Sequence, residues 1–307
     1  MQYYVFSDFH VDLWCPAVAK PSRLKKTEIP KDIVERAMDY IWKLRGIPET
    51  EGIILAGDYS NDFHTFSLVV PWLSNRYKRV IMVLGNHDIL VRGATLSKSN
   101  QQFTSSEQKI AKMKEICAQA GNVFLLDGDD GPYIEGIAGC MGMCDFQCEP
   151  PMYGLDKYTL WKRNWFDGVN WIYFHQEPQA IWSHYESKLT DMLNRHPKPK
   201  VIVTHFAPYE LGVPFDYRNS PWNYVFYFKA EKFLDMMDDD TYWICGHTHG
   251  IRKVEYVNAS GNHIHLWCNP MGYIGELTEY MEIDDYMGDK VERKSSCVKE
   301  ENFIIEL

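Results

Sequence analysis

Five short motifs in the sequence carry side chains that could bind metal ions. Carboxylate, amide and imidazole donors without a thiolate suit Mn, Fe or Zn better than a soft metal. Each motif alone is a weak signal, because a lone histidine is usually an ordinary hydrogen-bonded residue of the core or surface. In chain order the motifs are Asp8-Phe9-His10, Gly57-Asp58, Gly85-Asn86-His87-Asp88, Thr204-His205 and Gly246-His247-Thr248-His249.

Each motif lies at or just beyond the end of a predicted strand. Short runs of apolar, β-branched or aromatic residues at 3–6, 52–56 and 79–84 each end at a polar loop, which is typical of buried strands. Similar runs at 200–204 and 242–245 precede the two later motifs. Ligands bind at the carboxyl ends of the strands in open α/β sheets, so we expect the five motifs to converge there.

The order of strands and helices predicts an α/β fold. The first half alternates short apolar runs with helical patterns, as βαβ units do, and this favours a largely parallel sheet. Apolar spacing predicts helices at about 33–44, 107–120 and 179–195. We expect the second half to form a more antiparallel sheet. Its further strand-like runs lie at 252–257, 264–267 and 303–307.

The periodic pattern breaks at about 142–178, where Pro150-Pro151 and many aromatic residues occur. We interpret this segment as an insertion that covers the active-site side of a single domain spanning 1–307. Its rings either pack the insertion onto the body or form a platform on which a base could stack. The aromatic residues are Tyr153, Tyr158, Trp161, Trp165, Phe166, Trp171, Tyr173 and Phe174.

The composition limits the classes of partner. A formal net charge of −10 over 307 residues argues against extended binding to nucleic acid or to an anionic membrane, which depends on clustered Lys and Arg. The chain lacks a signal-peptide pattern at its start and an apolar run of the ~20 residues that would span a bilayer. A cytoplasmic protein without a membrane partner is therefore expected, and the sequence leaves its oligomeric state open.

Taken together, the five motifs resemble the signature of the calcineurin-like metallophosphoesterase superfamily. That signature reads D-x-H, G-D, G-N-H-[DE], an isolated His and G-H-x-H, and the set is complete here between residues 8 and 249. The resemblance implies a four-layer α/β sandwich with two mixed β-sheets flanked by helices. It also implies a dinuclear centre that holds two divalent or transition metal ions, with Mn, Fe or Zn as the expected metals.

The resemblance assigns a role to each candidate ligand. Asp8, His10 and His249 would bind one ion, and Asn86, His205 and His247 would bind the other. Asp58 would bridge the two, because ions ~3.5–4 Å apart repel each other unless an anion lies between them. Two divalent ions outweigh the two carboxylates, so the centre stays positive and can attract a phosphate ester in an acidic protein.

The resemblance also suggests a mechanism. A hydroxide held between the two metals would attack phosphorus in line with the leaving group. His87 would stabilise the transition state or protonate the leaving oxygen, and Asp88 would orient its ring.

The expected substrate is a small-molecule or nucleotide phosphodiester. Protein phosphatases of this superfamily show G-D-x-V-D-R-G and R-G-N-H-E, whereas residues 57–62 here read Gly-Asp-Tyr-Ser-Asn-Asp and 84–88 read Leu-Gly-Asn-His-Asp. Both arginines that would hold a monoester dianion are missing. A nuclease acting on single strands, a phosphomonoesterase or protein phosphatase, and a non-catalytic binding scaffold remain as alternatives. Candidate substrate contacts are His64, Arg92, Trp161, Arg163, Trp165 and Arg218.

Overall fold

The computed structural model describes residues 1–20, 24, 28–92, 98–128, 131–147, 156–171, 177–214, 220, 222–274, 276 and 303–307. The described part of the chain contains ten strands in two sheets, with helices around them. Residues 148–155 and 172–176 of the predicted insertion lie outside the described residues.

The first sheet has the order β10-β1-β2-β3-β4. Strands β1 to β4 run parallel, and β10 pairs antiparallel with β1. The central strand β2 is buried along its whole length, as expected for a parallel strand that is covered on both faces. The strands are β1 (Gln2–Phe6), β2 (Gly52–Ala56), β3 (Arg79–Val83), β4 (Val123–Leu125) and β10 (Ile304–Glu306).

The second sheet has the order β5-β6-β7-β9-β8, and it is mainly parallel. Only β8 runs antiparallel, paired with β9. The expectation of a more antiparallel second sheet is therefore wrong, because the chain leaves β7 for the edge strand β8 and returns into the sheet as β9. The strands are β5 (Ile137–Gly139), β6 (Val201–Val203), β7 (Thr241–Cys245), β8 (Arg252–Val257) and β9 (His263–Cys268).

All three helices that apolar spacing predicts form in the structure, and further helices lie elsewhere in the chain. Helix α2 buries one face through Ile33, Ala37 and Ile41, and it ends at Gly46, whose φ of 60° closes the last turn. The predicted helices at 107–120 and 179–195 are confirmed as α4 and α7. The helices are α1 (Val11–Val18), α2 (Lys31–Arg45), α3 (Phe63–Arg76), α4 (Ser106–Ala120), α5 (Lys157–Asn164), α6 (Phe166–Asn170), α7 (Pro178–Arg195) and α8 (Glu231–Leu234).

Three short 3₁₀ helices complete the described elements, at Asn100–Gln102, Glu210–Gly212 and Asn223–Val225. Two mixed sheets flanked by helices confirm the predicted fold class. Most buried apolar side chains of both sheets belong to one continuous cluster, which fixes the two sheets against each other. No helix in the described part of the chain is both long and apolar enough to span a bilayer.

Candidate metal centre

The ends of five parallel strands place the predicted ligands. Asp8 and His10 follow β1, Asp58 follows β2 and Asn86 follows β3 in the first sheet. In the second sheet His205 follows β6, and His247 and His249 follow β7. Backbone hydrogen bonds join neighbouring loops, among them Asp8 N to Gly57 O at 3.0 Å and Gly246 N to His205 O at 2.9 Å. The convergence predicted from the strand ends is therefore observed.

The backbone at these strand ends takes a conformation that L-residues seldom adopt. Five of the seven candidate ligands have positive φ values between 34° and 69°. Strained residues of this kind persist only where surrounding contacts hold them, and they cluster at functional sites. The five residues are Asp8, His10, Asp58, His247 and His249.

The glycine that precedes Asn86 is required by the close approach of two loops. A Cβ atom on Gly85 would overlap both the side chain and the backbone nitrogen of Asp58. The Gly85 amide instead donates to Asp88 Oδ2 at 2.8 Å. A side chain at this position would push the β2 and β3 loops apart and separate Asp58 from Asn86.

The first group of ligands is compact and almost fully buried. One donor atom from each of Asp8, His10, Asp58 and His249 lies within 4.8 Å of the others. His10 Nε2 is 3.2 Å from His249 Nε2 and 3.6 Å from Asp58 Oδ2. Two imidazole lone pairs and carboxylate oxygens that face one another at this range suit a shared cation.

The second group is built around the amide oxygen of Asn86. Asn86 Oδ1 lies 2.7 Å from His205 Nε2 and 3.1 Å from His247 Nδ1. Asp58 Oδ2 is 3.3 Å from His205 Nε2, so this carboxylate contacts both groups. Asp58 thus stands between the two sets of donors, where the bridging ligand is expected.

The remaining nitrogen of three candidate histidines contacts an acceptor outside the centre. His205 Nδ1 lies 2.7 Å from Ala56 O, His247 Nε2 lies 3.2 Å from Val225 O, and His249 Nδ1 lies 2.7 Å from Glu276 Oε2. A proton on each of these nitrogens leaves the other nitrogen with a lone pair that faces the centre. Metal-binding histidines almost always show this arrangement.

An unpaired carboxylate oxygen and the protonation of the buried histidines also fit a bound cation. Asp8 Oδ2 is buried and has no hydrogen-bond partner among the described residues. Burial lowers the pKa of His10 and of His247 well below the usual value, so both rings are neutral donors of a lone pair. Burial also acts to lower the pKa of His205, but Asp58 raises it to about 10, which shows that this position favours a positive charge. The residues present therefore fit two metal ions.

His87 lies beside the centre and is held by contacts on several sides. Its backbone amide donates to Asp58 Oδ1 at 2.9 Å, and its ring Nδ1 lies 2.6 Å from Asn61 Oδ1. The hydroxyl of Tyr273 lies 3.4 Å from the other ring nitrogen, Nε2. Burial lowers the pKa of His87 to about 4, so the ring is neutral near pH 7.

The role expected for Asp88 needs a correction. Its carboxylate was expected to orient the His87 ring, but Asn61 occupies that position. The oxygens of Asp88 instead accept backbone N–H groups from two loops. Asp88 is fully buried, and its contacts with those amides suit a residue that holds the loop containing Asp58 in place. The donors are Asp58, Tyr59, Ser60 and Gly85.

Helix α6 and the residue after it support Asn86. Asn86 Nδ2 donates to Asp167 Oδ1 at 2.8 Å, and Trp171 Nε1 donates to Asn86 O at 3.0 Å. The first contact orients the amide so that Asn86 Oδ1 faces the histidines. Asp167 was not among the predicted site residues, because a single acidic residue in an aromatic segment gives no local signal.

A segment beyond β9 closes the other side of the centre. The Tyr273 ring lies against His10 and His249, with ring centroids 4.8 and 4.5 Å away. Glu276 Oε2 accepts from Tyr273 N at 2.7 Å and also contacts His249. Neither residue was among the predicted site residues, although the loop that follows β9 was a usable signal.

The residues that were expected to contact the substrate do not lie together in the structure. His64 Nε2 lies 3.1 Å from Ile29 O, and His64 Nδ1 lies 3.8 Å from Glu28 Oε2. The His64 ring therefore packs on residues 28–29 instead of joining the candidate metal centre. Arg92 and Arg163 are exposed, and Arg92 N donates to Asn170 O at 3.0 Å. Arg218 lies outside the described residues.

The two tryptophans expected to contact a substrate pack in different ways. Trp161 is only 3% exposed and packs edge-on against Phe146 and Trp171, so its ring serves packing and is not available to a substrate. Trp165 is half-buried and contacts Trp222 at a centroid distance of 5.3 Å.

Comparison with known proteins identifies the family. The sequence profile of the calcineurin-like phosphoesterase family matches residues 1–250. No curated protein matches the chain.

Two solved structures are similar to the chain at low identity. The phosphopantetheinyl hydrolase of Mycobacterium tuberculosis is 16% identical, with a TM-score of 0.62 over 90% of this chain and 91% of that chain. A dimetal phosphatase from Danio rerio is 13% identical, with a TM-score of 0.36 over 88% of this chain and 87% of that chain, and so low a score establishes no shared fold. The first likeness shows a shared fold and no more. By its family match over residues 1–250, the chain belongs to the calcineurin-like phosphoesterase family and is a metal-dependent hydrolase of phosphate esters.

Proposed function

We propose that the protein is a dinuclear phosphoesterase that prefers small-molecule or nucleotide phosphodiesters. The observation that carries the dinuclear part is the position of Asp58. Its Oδ2 atom lies 3.6 Å from His10 Nε2 and 3.3 Å from His205 Nε2, and each histidine belongs to a different group of donors. A carboxylate shared in this way is the bridge that two adjacent cations need.

The two groups of donors divide the seven ligands. Asp8, His10 and His249 would hold one ion, whereas Asn86, His205 and His247 would hold the other, with Asp58 shared. When bound there, such ions would supply Lewis-acid chemistry, polarising the phosphate ester and activating water for attack. The ligand set contains no thiolate, so Mn, Fe or Zn suits it.

His87 is the proposed catalytic residue outside the ligand set. Asn61 accepts from its Nδ1, so Nε2 is the nitrogen that would carry a proton towards the leaving oxygen, and the charge of Asp58 acts to raise the pKa of the ring in favour of that protonated form. The ring is adjacent to both Asp58 and Tyr273, and it is therefore in a position to stabilise the transition state beside the metal centre. Asp88, through its backbone contacts, would keep the Asp58 loop in place.

The loops that follow Gly57 and Gly85 support a diester over a monoester. Position 59 holds a buried tyrosine whose hydroxyl donates to Val83 O at 2.6 Å, and position 61 holds the amide that contacts His87. Neither loop contains the arginine with which protein phosphatases of the superfamily bind a monoester dianion. A diester carries one negative charge fewer and has less need of such a contact.

A panel of substrates tests this proposal. Protein loaded with Mn is given phosphomonoesters, cyclic nucleotides, nucleotide pyrophosphates and short single-stranded oligonucleotides, and bound metal is counted in parallel. We expect two metals per chain and the highest kcat/KM for small diesters. The Asp58→Asn variant should lose both metal and activity, because an amide cannot offset the charge of two cations. Asp191→Asn, at an exposed position of α7, is the matched control.

Other outcomes would contradict specific parts of the proposal. Full metal binding without hydrolysis of any ester would indicate a binding scaffold. Preference for oligonucleotides or for monoesters would retain the metal centre and overturn the substrate class.

A further inference from the structure

Phe166 is an exposed aromatic ring beside the proposed catalytic histidine. It is 45% exposed, yet its ring stacks on His87 with centroids 4.9 Å apart and planes 22° apart. Water therefore reaches a large part of an apolar ring at the edge of a polar centre. Sites for small ligands are lined mainly by apolar and aromatic side chains beside a few placed polar groups, and Phe166 and His87 form such a pair.

The structure fixes Phe166 with respect to the metal ligands. Phe166 is the first residue of α6, and the next residue, Asp167, is 1% exposed and accepts from Asn86 Nδ2. The second oxygen of Asp167 accepts from Trp165 Nε1 at 3.1 Å. The residues on both sides of Phe166 are therefore tied together, and one of them is tied to a ligand.

We propose that Phe166 forms one wall of the subsite for the leaving group and selects esters whose leaving group is planar and aromatic. This inference rests on the proposed function, since it assigns a specificity residue to the same centre. An ester whose phosphorus lies at the metals and whose leaving oxygen faces His87 extends that leaving group towards Phe166. A planar group can then stack on the exposed part of the ring, whereas a short alkyl group leaves it in water.

Two diesters with one differing group test the proposal. Methyl phenyl phosphate and methyl trifluoroethyl phosphate are compared as substrates of the Mn-loaded wild type and of Phe166→Ala, with product formation followed by phosphorus NMR. We expect kcat/KM for the phenyl ester to fall roughly two- to ten-fold in the variant, mostly through KM, because stacking is made in the bound and transition states alike. The trifluoroethyl ester should be hydrolysed at the wild-type rate.

The chain offers controls for both the position and the chemistry. Val169 lies on the same helix and is similarly exposed, at 47%. The Val169→Ala variant should leave kcat/KM unchanged for both substrates. Phe166→Trp keeps a flat ring and should retain the preference for the phenyl ester.

Equal losses for both esters in Phe166→Ala would show that the ring only shields His87, and this would overturn the inference while the proposed function stands. The same holds if neither rate changes. If the metal-loaded wild type hydrolyses neither ester, the proposed function fails and the inference fails with it.

Discussion

Asn61 is the residue that sets the orientation of His87. Its Oδ1 atom lies 2.6 Å from His87 Nδ1, and Lys109 Nζ donates to its backbone oxygen at 3.2 Å. Lys109 thus holds the backbone of Asn61, while the side-chain amide of Asn61 contacts the His87 ring. Asn61 lies three residues after Asp58, the proposed bridging ligand, where turn chemistry alone explains an asparagine, and so the sequence did not single it out.

We expect Asn61→Ala to lower kcat on the order of ten-fold with little change in KM. The ring of His87 would lose the partner that holds it in a productive orientation, and such misplacement costs rate more than binding. Steady-state kinetics on the best diester would measure this, with bound metal counted in the same sample. Bound metal should stay at the wild-type level, because no ligand is changed. Asn75→Ala, on the exposed side of α3, is the control, and an unchanged kcat in Asn61→Ala would contradict the role.

Asp88 is a second residue whose role depends on its surroundings. Its two oxygens accept four backbone N–H groups at 2.8 to 3.1 Å. Burial, with the nearby charge of Asp58, raises the pKa of Asp88 to about 7, and these hydrogen bonds act to lower it. A carboxylate with this number of donors is a structural anchor for the loops that carry Asp58 and Asn86.

We expect Asp88→Asn to destabilise the fold by about 2–4 kcal/mol, since the amide nitrogen would face backbone donors with no acceptor. Urea denaturation in the presence of a chelator measures this apart from metal binding. Asp145→Asn is the matched control, because within the described part of the chain Asp145 accepts two backbone N–H groups, from Gln147 and Lys229, and should lose less stability. Equal losses in the two variants would argue against the anchoring role.

At the scale of elements, helix α6 connects the aromatic segment to the metal centre. Asp167 contacts Asn86, and Asn170 O accepts from the backbone nitrogens of Val91 and Arg92, so both ends of this helix pack on the loop after β3. The sequence predicted an aromatic segment over the active-site side. That its buried carboxylate would support a ligand follows only from the packing of the helix.

We expect Asp167→Ala to weaken metal binding about 10- to 100-fold, as is typical when a residue that orients a ligand is removed. The Asn86 amide would be free to rotate its oxygen away from His205 and His247. Competition with a chelator measures the affinity for Mn. Asp156→Ala removes the residue that caps α5, and it should cost stability without changing metal affinity. Wild-type affinity in Asp167→Ala would show that Asn86 needs no such support.

The direction of the strands in the second sheet is also decided at this scale. The runs at 252–257 and 264–267 were predicted as strands, and β8 and β9 form there as an antiparallel pair. However, β9 lies between β8 and β7 and runs parallel to β7. Local sequence indicates a strand and a turn, but the neighbour across the sheet depends on the path of the whole chain.

At the scale of the whole molecule, the candidate metal centre joins the two sheets. The candidate ligands come from the ends of β1, β2 and β3 on one side and of β6 and β7 on the other. Asp8 and Asp58 are buried there together, with 0% and 1% exposure. Burial raises the pKa of Asp8, which indicates that its negative charge lacks full compensation within the protein.

We therefore expect metal ions to stabilise the folded chain strongly. A ligand that binds only the native state at 1,000 times its Kd adds about 4 kcal/mol. Calorimetry of metal-free protein should show a higher Tm after addition of Mn, and Asp58→Asn should lose most of that shift. Asp191→Asn should keep it. An equal shift in Asp58→Asn would show that the ions bind elsewhere.

The sequence by itself determined the family, the fold class and the set of candidate ligands. The motifs could be recognised because each lies within a few residues of a strand end, and strands have local signatures in short apolar runs that end at polar loops. The resemblance of these motifs to the family signature then assigned the candidate ligands. The order and spacing of the motifs can be read directly along the chain, as for Asp8, Asp58, Asn86, His205 and His247. The same holds for helices such as α4 and α7, whose apolar spacing is local.

Only the tertiary structure decided how these ligands are supported. Five further residues reach the centre through packing between segments that are distant in the chain: Asn61, Phe166, Asp167, Tyr273 and Glu276. It also showed Asp88 against backbone amides, and Trp161 inside the core. Contacts of this kind leave no local pattern, because they depend on which surfaces meet when the two sheets pack and on how burial changes the charge that each side chain carries.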